Sequence, residues 1–290
     1  MAVDPIRMLA LSNNWFAESA CTAECKTLYP VGECLWAGNT AWCDLVIAKS
    51  PVFGKLLFMD GEIQSAASDE AIYHEHLVHP LMNSLANRPN KRVLIVGGGE
   101  GATLREVLKW SSVADVVWVD IDEDAVNLCR RHLVYADDDV YNDPRVEHHW
   151  VDICKYLEGP TGSFDAVILD LPDPDVKKLR VNNAYLYSHA FYLAIMGTLL
   201  PGGGIVSHVG PVQPGGDPFE RREGLMWVQG VWQTGVGYHV YIPSFQSEWG
   251  FWMSLSPSDI DKFPKTCLVM DNSTQSHAFF WPKYWTETAA

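Results

Sequence analysis

Hydrophobic positions in the first 85 residues change from compact apolar runs to a helical repeat. Two runs, Cys43–Lys49 and Lys55–Met59, are separated by Ser-Pro-Val-Phe-Gly and followed by the turn signal Asp60-Gly61. Apolar runs of this length, bounded by proline and glycine, predict strands joined by tight turns. From Asp69 to Leu85 apolar residues recur every three to five positions, which predicts a helix.

After residue 90, short apolar runs alternate with helical patterns. The predicted strands are Arg92–Val96, Val116–Val119, Val146–Trp150, Ala166–Leu169 and Gly204–Ser207. Helical patterns at Ala102–Lys109 and Asp124–Leu133 stand between the first of them. This alternation predicts a parallel sheet covered by helices on both faces. We therefore expect an α/β fold, with a β-strand domain in residues 1–80 and a larger domain in residues 81–290.

The composition is that of a globular chain of 290 residues, 48% of them hydrophobic. Such a chain is long enough to bury a substantial core and too apolar to remain disordered. No apolar run approaches the roughly 18 residues of a membrane span, and the N-terminus lacks a basic region followed by an apolar stretch. We expect a cytoplasmic protein that does not enter a membrane.

The charge balance argues against nucleic acid as a partner. With Lys+Arg 21 and Asp+Glu 36, the formal net charge is −15, whereas binding to phosphates needs a basic surface. An acidic protein attracts cations, so a cationic substrate is electrostatically reasonable. Solubility alone is the simpler explanation of the same charge.

The cysteines give no sign of disulfides or metal. Their number, seven, is odd, and the chain is far larger than disulfide-stapled domains, so reduced thiols are expected. Four of them lie in residues 21–43 without a C-x-x-C pair. Because the usual spacing of zinc ligands is absent, we expect no metal site.

A glycine-rich turn is the strongest chemical motif. Gly97, Gly98 and Gly99 precede Glu100 between a predicted strand and a predicted helix, where backbone N–H groups come close to a ligand. Asp120 ends the next strand, and a carboxylate there can accept both hydroxyls of a ribose. The pattern predicts nucleoside binding, without separating NAD from S-adenosyl compounds. Alternatively, the glycines only permit a tight turn.

Carboxylates follow two further strands. Asp152 comes after Val146–Trp150, where it could receive an adenine amino group, or equally cap a helix. Asp170 and Asp173 belong to an acidic, proline-rich segment after the next strand. Since ligands bind beyond the carboxyl ends of such strands, these carboxylates could bind ammonium groups, and one could accept a proton. The alternative is a solvated acidic turn.

Aromatic and histidine side chains supply two further candidates. On the helix before the glycine turn, Tyr73 and His74 could line a cleft, because the spacing of His74, His76 and His79 does not place three metal ligands on one face. Ordinary packing is the alternative. The stretch Tyr241–Trp252 combines aromatics with one carboxylate, and could wall an apolar channel or belong to the core.

In this order, the segments resemble the polyamine aminopropyltransferases, the spermidine and spermine synthase family. The similar stretches are Asp60–Ser65, Asp69–Glu75, Gly97–Gly101, Asp120–Glu123, Asp170–Pro174 and Ile242–Phe245. Within the family, Glu100, Leu171 and Phe245 are similar to the thermospermine synthase branch. Spermidine synthases usually have Asp, then Ser or Thr, then Tyr at those places.

The resemblance implies a small N-terminal β-domain, a Rossmann-like catalytic domain of the S-adenosylmethionine type, and a homodimer or larger homo-oligomer. It also implies decarboxylated S-adenosylmethionine as the aminopropyl donor, with no tightly bound cofactor. By resemblance, the donor would be bound by Gln64, His74, Gly97, Gly98, Gly99, Glu100, Asp120 and Asp152.

On the acceptor side, the resemblance implies that Asp170 accepts a proton from the amine, while Tyr73 and Asp173 hold it. Phe245 and Glu248 would contact the rest of the acceptor. The expected reaction transfers an aminopropyl group to spermidine or a similar polyamine, giving thermospermine and 5′-methylthioadenosine.

Several positions depart from the family pattern. Cys43 and His208 stand where the family usually has Gln, and Ala71 stands where it has Phe. Two segments expected over the acceptor site, Val176–Tyr187 and Pro211–Pro218, are unlike those of other members. One alternative is therefore an amine N-methyltransferase that uses intact S-adenosylmethionine, although Glu100 would repel that donor's carboxylate. A non-enzymatic protein that binds nucleosides or polyamines is the other.

Overall fold

A computed structural model describes residues 15–18, 27–172, 185, 186, 188–212 and 235–281. At the N-terminus, β1 (Trp15–Ala17) and β2 (Leu28–Pro30) form an antiparallel pair. A four-stranded sheet follows, made of β3 (Glu33–Asn39), β4 (Asp44–Ser50), β5 (Gly54–Met59) and β6 (Glu62–Ala66). Its strands pair antiparallel in chain order, so the two strands predicted from their apolar runs are its central pair.

Both faces of β4 are buried, which explains its continuous apolar run. Val46 and Ala48 point to a cluster with Phe16 and Tyr29 of the small β1–β2 sheet. Leu45 and its neighbours on the other face pack against helices of the larger domain. The four-stranded sheet therefore packs between the β1–β2 pair on one face and the α/β part of the chain on the other.

Helices connect the remaining elements. They are α1 (Glu70–Ser84), α2 (Ala102–Leu108), α3 (Glu123–His132), α4 (Asp138–Tyr141), α5 (Ile153–Leu157), α6 (His189–Gly197) and α7 (Asn272–Ala278). The helices predicted at residues 69–85, 102–109 and 124–133 match α1, α2 and α3 closely. Residue 80, where the sequence predicts a domain border, lies inside α1.

The larger sheet has seven strands. In chain order they are β7 (Lys91–Gly97), β8 (Val113–Asp120), β9 (Val146–Trp150), β10 (Phe164–Asp170), β11 (Leu199–Val212), β12 (Val236–Ile242) and β13 (Ser247–Met253). Their spatial order is β12-β13-β11-β10-β7-β8-β9. Strands β7 to β11 are parallel, and β13 and β12 complete one edge antiparallel. This mostly parallel, Rossmann-like sheet confirms the predicted fold class.

Both faces of this sheet are covered. On β7, Val93 and Ile95 belong to the core under α1 and α2, while Leu94 and Val96 belong to the core under α5 and α6. The chain leaves β7 for β8 on one side and later places β10 on the other side of β7. A crevice opens where the strand order reverses in this way, and ligands bind there in α/β sheets.

Within the described ranges, no helix is both long enough and apolar enough to span a bilayer.

Candidate active site

The glycine turn lies at the reversal point of the sheet. Gly97 ends β7 beside its register partner Asp170, the last residue of β10. The Gly98 N–H donates to the main-chain oxygen of Asp170 over 2.9 Å. A Cβ atom on Gly97, whose φ is +78°, would lie 2.1 Å from the same oxygen. Only glycine allows this approach, so the turn holds its backbone against the end of β10.

Two hydroxyl groups hold the carboxylate of Asp170. Tyr73 of α1 donates to Oδ1 over 2.9 Å, and Thr103 of α2 donates to Oδ2 over 2.5 Å. The structure thus brings together Tyr73 and Asp170, which the sequence predicts as partners. Thr103 is fully buried and was missed by the sequence analysis. The sequence signal that could have revealed it is a hydroxyl residue two positions after Gly101, in the first turn of the helix.

A buried histidine contacts the carboxylate of the glycine turn. Nε2 of His74 lies 3.3 Å from Oε2 of Glu100, and only 2% of the His74 side chain is exposed. Burial acts to lower the pKa of His74, but hydrogen bonds to Glu100 and Glu70 raise it well above its usual value. Burial raises the pKa of Glu100, and His74 partly offsets this. The pair can present a charged carboxylate oxygen to a cationic ligand.

A third carboxylate, Asp120, ends β8 beside the turn. Its Oδ1 accepts the N–H of Asp122 over 2.9 Å, and a Cβ atom on Gly99 would lie 3.2 Å from Oδ2. Burial, together with the negative charges of Asp122 and Asp170, raises the pKa of Asp120 to about 7. The structure therefore gathers Glu100, Asp120 and Asp170 around the Gly97–Gly99 backbone, where the sequence placed a nucleoside.

Two predicted donor residues lie on neighbouring elements. Asp152 caps α5, where its Oδ1 accepts the N–H of Cys154 over 2.8 Å; this is the helix-cap role that the sequence left open. Gln64 is half-buried on β6, and its amide is 3.4 Å from the main-chain oxygen of Glu62. Contacts of either residue with a nucleoside stay predictions.

Aromatic rings line the side of Tyr73. The Phe245 ring centre is 6.2 Å from that of Tyr73 and 4.6 Å from that of Trp249. His208 stacks on Trp249 at 6.0 Å and is equally far from Tyr73. Part of the stretch Tyr241–Trp252 thus forms a wall near Asp170, while other members of it are core.

Glu248, a predicted acceptor residue, lies away from the proposed base. Glu248 precedes Trp249 on β13, so its side chain points to the opposite face of the sheet, where Oε2 lies 2.9 Å from Nδ1 of His239. The structure does not bring Glu248 to the Tyr73–Asp170 pair. Asp173 lies outside the described residues, as do residues 176–184, 187 and 213–218 of the two segments expected over the acceptor site.

One group among the described residues has metal-ligand atoms within 4.8 Å of one another, namely Glu75, His79 and Cys267. Two of its members already have protein partners. Glu75 accepts the N–H groups of residues 268–270, and His79 bonds to Glu106 and Trp110. These contacts fasten the C-terminal segment and α2 to α1.

Comparisons with known proteins agree with this geometry. Residues 70–262 match the family model described as the spermine/spermidine synthase domain, and residues 14–66 match the spermidine synthase tetramerisation domain. The chain is 35% identical over 276 residues to polyamine aminopropyltransferase 2 of Pseudomonas aeruginosa, covering 86% of this chain and 76% of that protein. It is 37% identical over 264 residues to polyamine aminopropyltransferase of Aeropyrum pernix, covering 89% and 80%.

Solved structures show the same fold. A spermidine synthase in complex with the transition state analogue AdoDATO superposes with a TM-score of 0.79 at 24% identity, covering 94% of each chain. Spermidine synthase from Thermotoga maritima gives 0.78 at 24% identity, covering 94% of this chain and 93% of that one. With a family model matched over most of its length and relatives above 30% identity, the chain belongs to the spermidine synthase family of polyamine aminopropyltransferases.

Proposed function

We propose that this enzyme transfers an aminopropyl group from decarboxylated S-adenosylmethionine to spermidine, giving thermospermine and 5′-methylthioadenosine. The observation that carries the proposal is the position of Asp170. It stands at the reversal point of the sheet with Tyr73 bound to one oxygen. A second carboxylate, Glu100, belongs to the glycine turn next to it.

The donor side follows from the gathered carboxylates. The backbone of Gly97, Gly98 and Gly99 would approach the nucleoside, and Asp120 would accept its ribose hydroxyls. Asp152 would receive the adenine amino group, and Gln64 would lie beside the nucleoside. Glu100 would bind the ammonium group of the aminopropyl arm. Intact S-adenosylmethionine carries a carboxylate on that arm, which Glu100 would repel.

The chemistry requires an amine with a free lone pair. Amines of this type are mostly protonated at neutral pH, since a Lys-like pKa is about 10.4. Asp170 would take a proton from the acceptor ammonium. Tyr73, which donates to Asp170, would hold the acceptor amine beside it. The nitrogen lone pair then attacks the carbon beside sulfur. The carbon–sulfur bond breaks, and its electron pair stays on sulfur as a neutral thioether. The site supplies proximity and alignment.

The acceptor is the finer part of the proposal. Glu100, Leu171 and Phe245 resemble the thermospermine branch. Phe245 and Trp249 offer apolar ring faces to a methylene chain, and Asp173 is proposed for a remaining ammonium group.

Two further properties belong to the proposal. We expect a homo-oligomer, a dimer or larger, because residues 14–66 match a tetramerisation domain. We expect it to act in the cytoplasm, because the cysteines among the described residues are free thiols, which persist in reducing compartments.

The test offers the enzyme each donor, decarboxylated or intact, with putrescine, spermidine or spermine. Products are identified by mass and by chromatography that separates thermospermine from spermine. We expect spermidine with the decarboxylated donor to gain one aminopropyl group and yield thermospermine. Methylated amine from the intact donor, or no turnover with any pair, would overturn the proposal.

Variants of two carboxylates sharpen this test. Asp170→Asn should cut turnover by about a hundredfold or more while the donor still binds. Asp259→Asn, which changes an exposed carboxylate outside the proposed site, is the matched control and should have the turnover of the unaltered enzyme.

A further inference from the structure

Four charged side chains form a continuous chain that ends at the glycine turn. Arg105 of α2 grips Glu70 of α1 with two parallel hydrogen bonds, Nη1 to Oε1 at 3.0 Å and Nη2 to Oε2 at 2.9 Å. Oε2 of Glu70 lies 3.1 Å from Nδ1 of His74. Nε2 of His74 in turn faces Glu100. Two of these residues, Glu70 and Arg105, have no part in the function proposed above.

The contacts define the protonation of His74 at one nitrogen. Nδ1 is 2.7 Å from the main-chain oxygen of Glu70, and a carbonyl oxygen can only accept. Nδ1 therefore carries a proton. The other nitrogen, Nε2, is compatible with two states: an imidazolium that donates to a charged Glu100, or a neutral ring that accepts from a protonated Glu100.

The charge of Glu70 decides between these two states. A carboxylate at Nδ1 stabilises the imidazolium by direct attraction, because both groups are largely removed from solvent. Burial acts to raise the pKa of Glu70, but His74 and Arg105 lower it to about 2, so its charge is constant at neutral pH. Glu100 also faces the like charge of Asp170, which would favour its protonated form without this chain.

We propose that Glu70 and Arg105 are positioning residues that hold His74 as an imidazolium, so that Glu100 stays charged for the ammonium group of the donor. This inference rests on the proposed donor site. It predicts that Glu70 contributes to recognition of the aminopropyl arm while contacting no part of the ligand, because Glu70 acts only through the His74 ring.

The test compares two ligands that share a nucleoside. Decarboxylated S-adenosylmethionine carries the ammonium group, and 5′-methylthioadenosine lacks the whole arm. For Glu70→Gln, calorimetry should show about a tenfold loss of affinity for the first ligand, as expected when a charge-assisted contact is lost. Affinity for the second should change less than about twofold. Glu70→Asp keeps the charge and should recover part of the loss.

The pH dependence of the two affinities separates this electrostatic role of Glu70 from a purely structural one, which would not change with pH. In Glu70→Gln, raising the pH removes the proton shared by His74 and Glu100 and leaves Glu100 charged. The ratio of the two affinities should therefore return toward that of the unaltered enzyme as the pH is raised. Using the ratio cancels the titration of Asp120, which both ligands meet.

Three results would overturn the inference: equal losses for both ligands, no loss for either, or a ratio that does not change with pH. If the unaltered enzyme binds neither ligand, the proposed function fails instead. Nitrogen NMR of His74 in the unaltered enzyme, assigned with His74→Gln, does not require Glu70→Gln to fold. We expect both ring nitrogens to be protonated at pH 7.5, and a ring protonated only at Nδ1 would contradict the proposal.

Discussion

The hydroxyl of Thr103 donates to Oδ2 of Asp170 while Tyr73 donates to Oδ1, so both oxygens of the proposed base are held from different helices. Thr103 is fully buried and cannot touch a ligand. Its contact fixes the rotation of the carboxylate about its Cβ–Cγ bond. The orientation of Asp170 toward an acceptor amine thus depends on a residue 67 positions away in sequence.

Thr103→Val keeps the shape of the side chain and removes this hydrogen bond. We expect kcat to fall by about tenfold, since a hydrogen bond to a charged group is involved, with the donor KM unchanged. Steady-state kinetics with the donor and acceptor varied separately would measure both. Thr103→Ser, which retains the hydroxyl, is the control; a loss as large as that of the Val variant would assign the effect to packing.

Asp120 predicts a pH dependence of nucleoside binding. Its pKa of about 7 is caused by burial and by the neighbouring charges of Asp122 and Asp170. Ribose hydroxyls donate to the charged carboxylate. Below pH 7, Asp120 must therefore lose its proton before it can accept these hydrogen bonds. Affinity for 5′-methylthioadenosine should fall with decreasing pH below 7, approaching about tenfold per pH unit.

Calorimetry between pH 5.5 and 8.5 tests this dependence. Asp120→Asn should bind weakly at every pH and lack the slope. A flat profile in the unaltered enzyme would rule out Asp120 as a ribose ligand that titrates in this range.

The turn Pro243–Phe245 is anchored by a single serine. Asp69 accepts both the N–H and the hydroxyl of Ser244, over 2.7 and 2.8 Å, and Tyr29 donates to the Ser244 main-chain oxygen over 2.7 Å. These contacts hold Phe245 against Tyr73. Ser244→Ala removes a hydrogen bond to a carboxylate, worth about 1.5 kcal/mol or more, so we expect the acceptor KM to rise about tenfold.

The donor provides the internal control for that variant. Affinity of Ser244→Ala for 5′-methylthioadenosine should equal that of the unaltered enzyme. A matching loss of nucleoside affinity would show that the turn supports the whole site and not only its acceptor side.

His76 predicts a stability change in acid. Burial lowers its pKa to about 4, while in the unfolded chain it is about 6.5. The unfolded state therefore binds the proton first, and the free energy of unfolding falls as the pH drops from 6.5 to 4, by about 3 kcal/mol in total. Denaturant unfolding at several pH values measures this fall as the difference between the protein and a variant that lacks the histidine.

The variant His76→Gln isolates the contribution of this one group. Asp120 acts in the opposite direction across this whole range, because its pKa of about 7 in the folded state lies above the value of about 3.9 in the unfolded chain, so protonation favours the folded state. The slope must therefore be compared with the variant, which should lack the His76 part of the fall. Identical slopes in both proteins would refute the assignment.

Sequence patterns revealed the elements whose side chains are buried on both faces. β4 and β7 are covered on each side, so their apolar runs are unbroken and easily recognised. The edge pair β12–β13 was not assigned, because its aromatic residues serve both core and site and follow no simple alternation. The carboxylates at strand ends, Asp120 and Asp170, were found because parallel strands end at a common edge.

Pairs formed between helices could not be predicted in this way. Glu70 and Arg105 are 35 positions apart, and their contact depends on how α1 packs on α2, which no local pattern encodes. Glu248 shows the opposite case, since its neighbours suggested the site but the pleat of β13 turns its side chain to the other face. Strand register decides such cases, and it is set by the whole sheet.

The anchoring of Ser244 bears on the order in which the two halves of the site are assembled. The proposed donor ligands all lie within residues 64–152, whereas the hydrogen bond from Tyr29 to Ser244 joins residues 215 positions apart. Contacts of such long range form late, because a large loop must close first. On a ribosome, the nucleoside half can take shape while the last strands are still being made. The aromatic wall needs residues near both ends of the chain, Tyr29 and Ser244, to come into contact. A nascent chain would therefore form the donor site before the acceptor site.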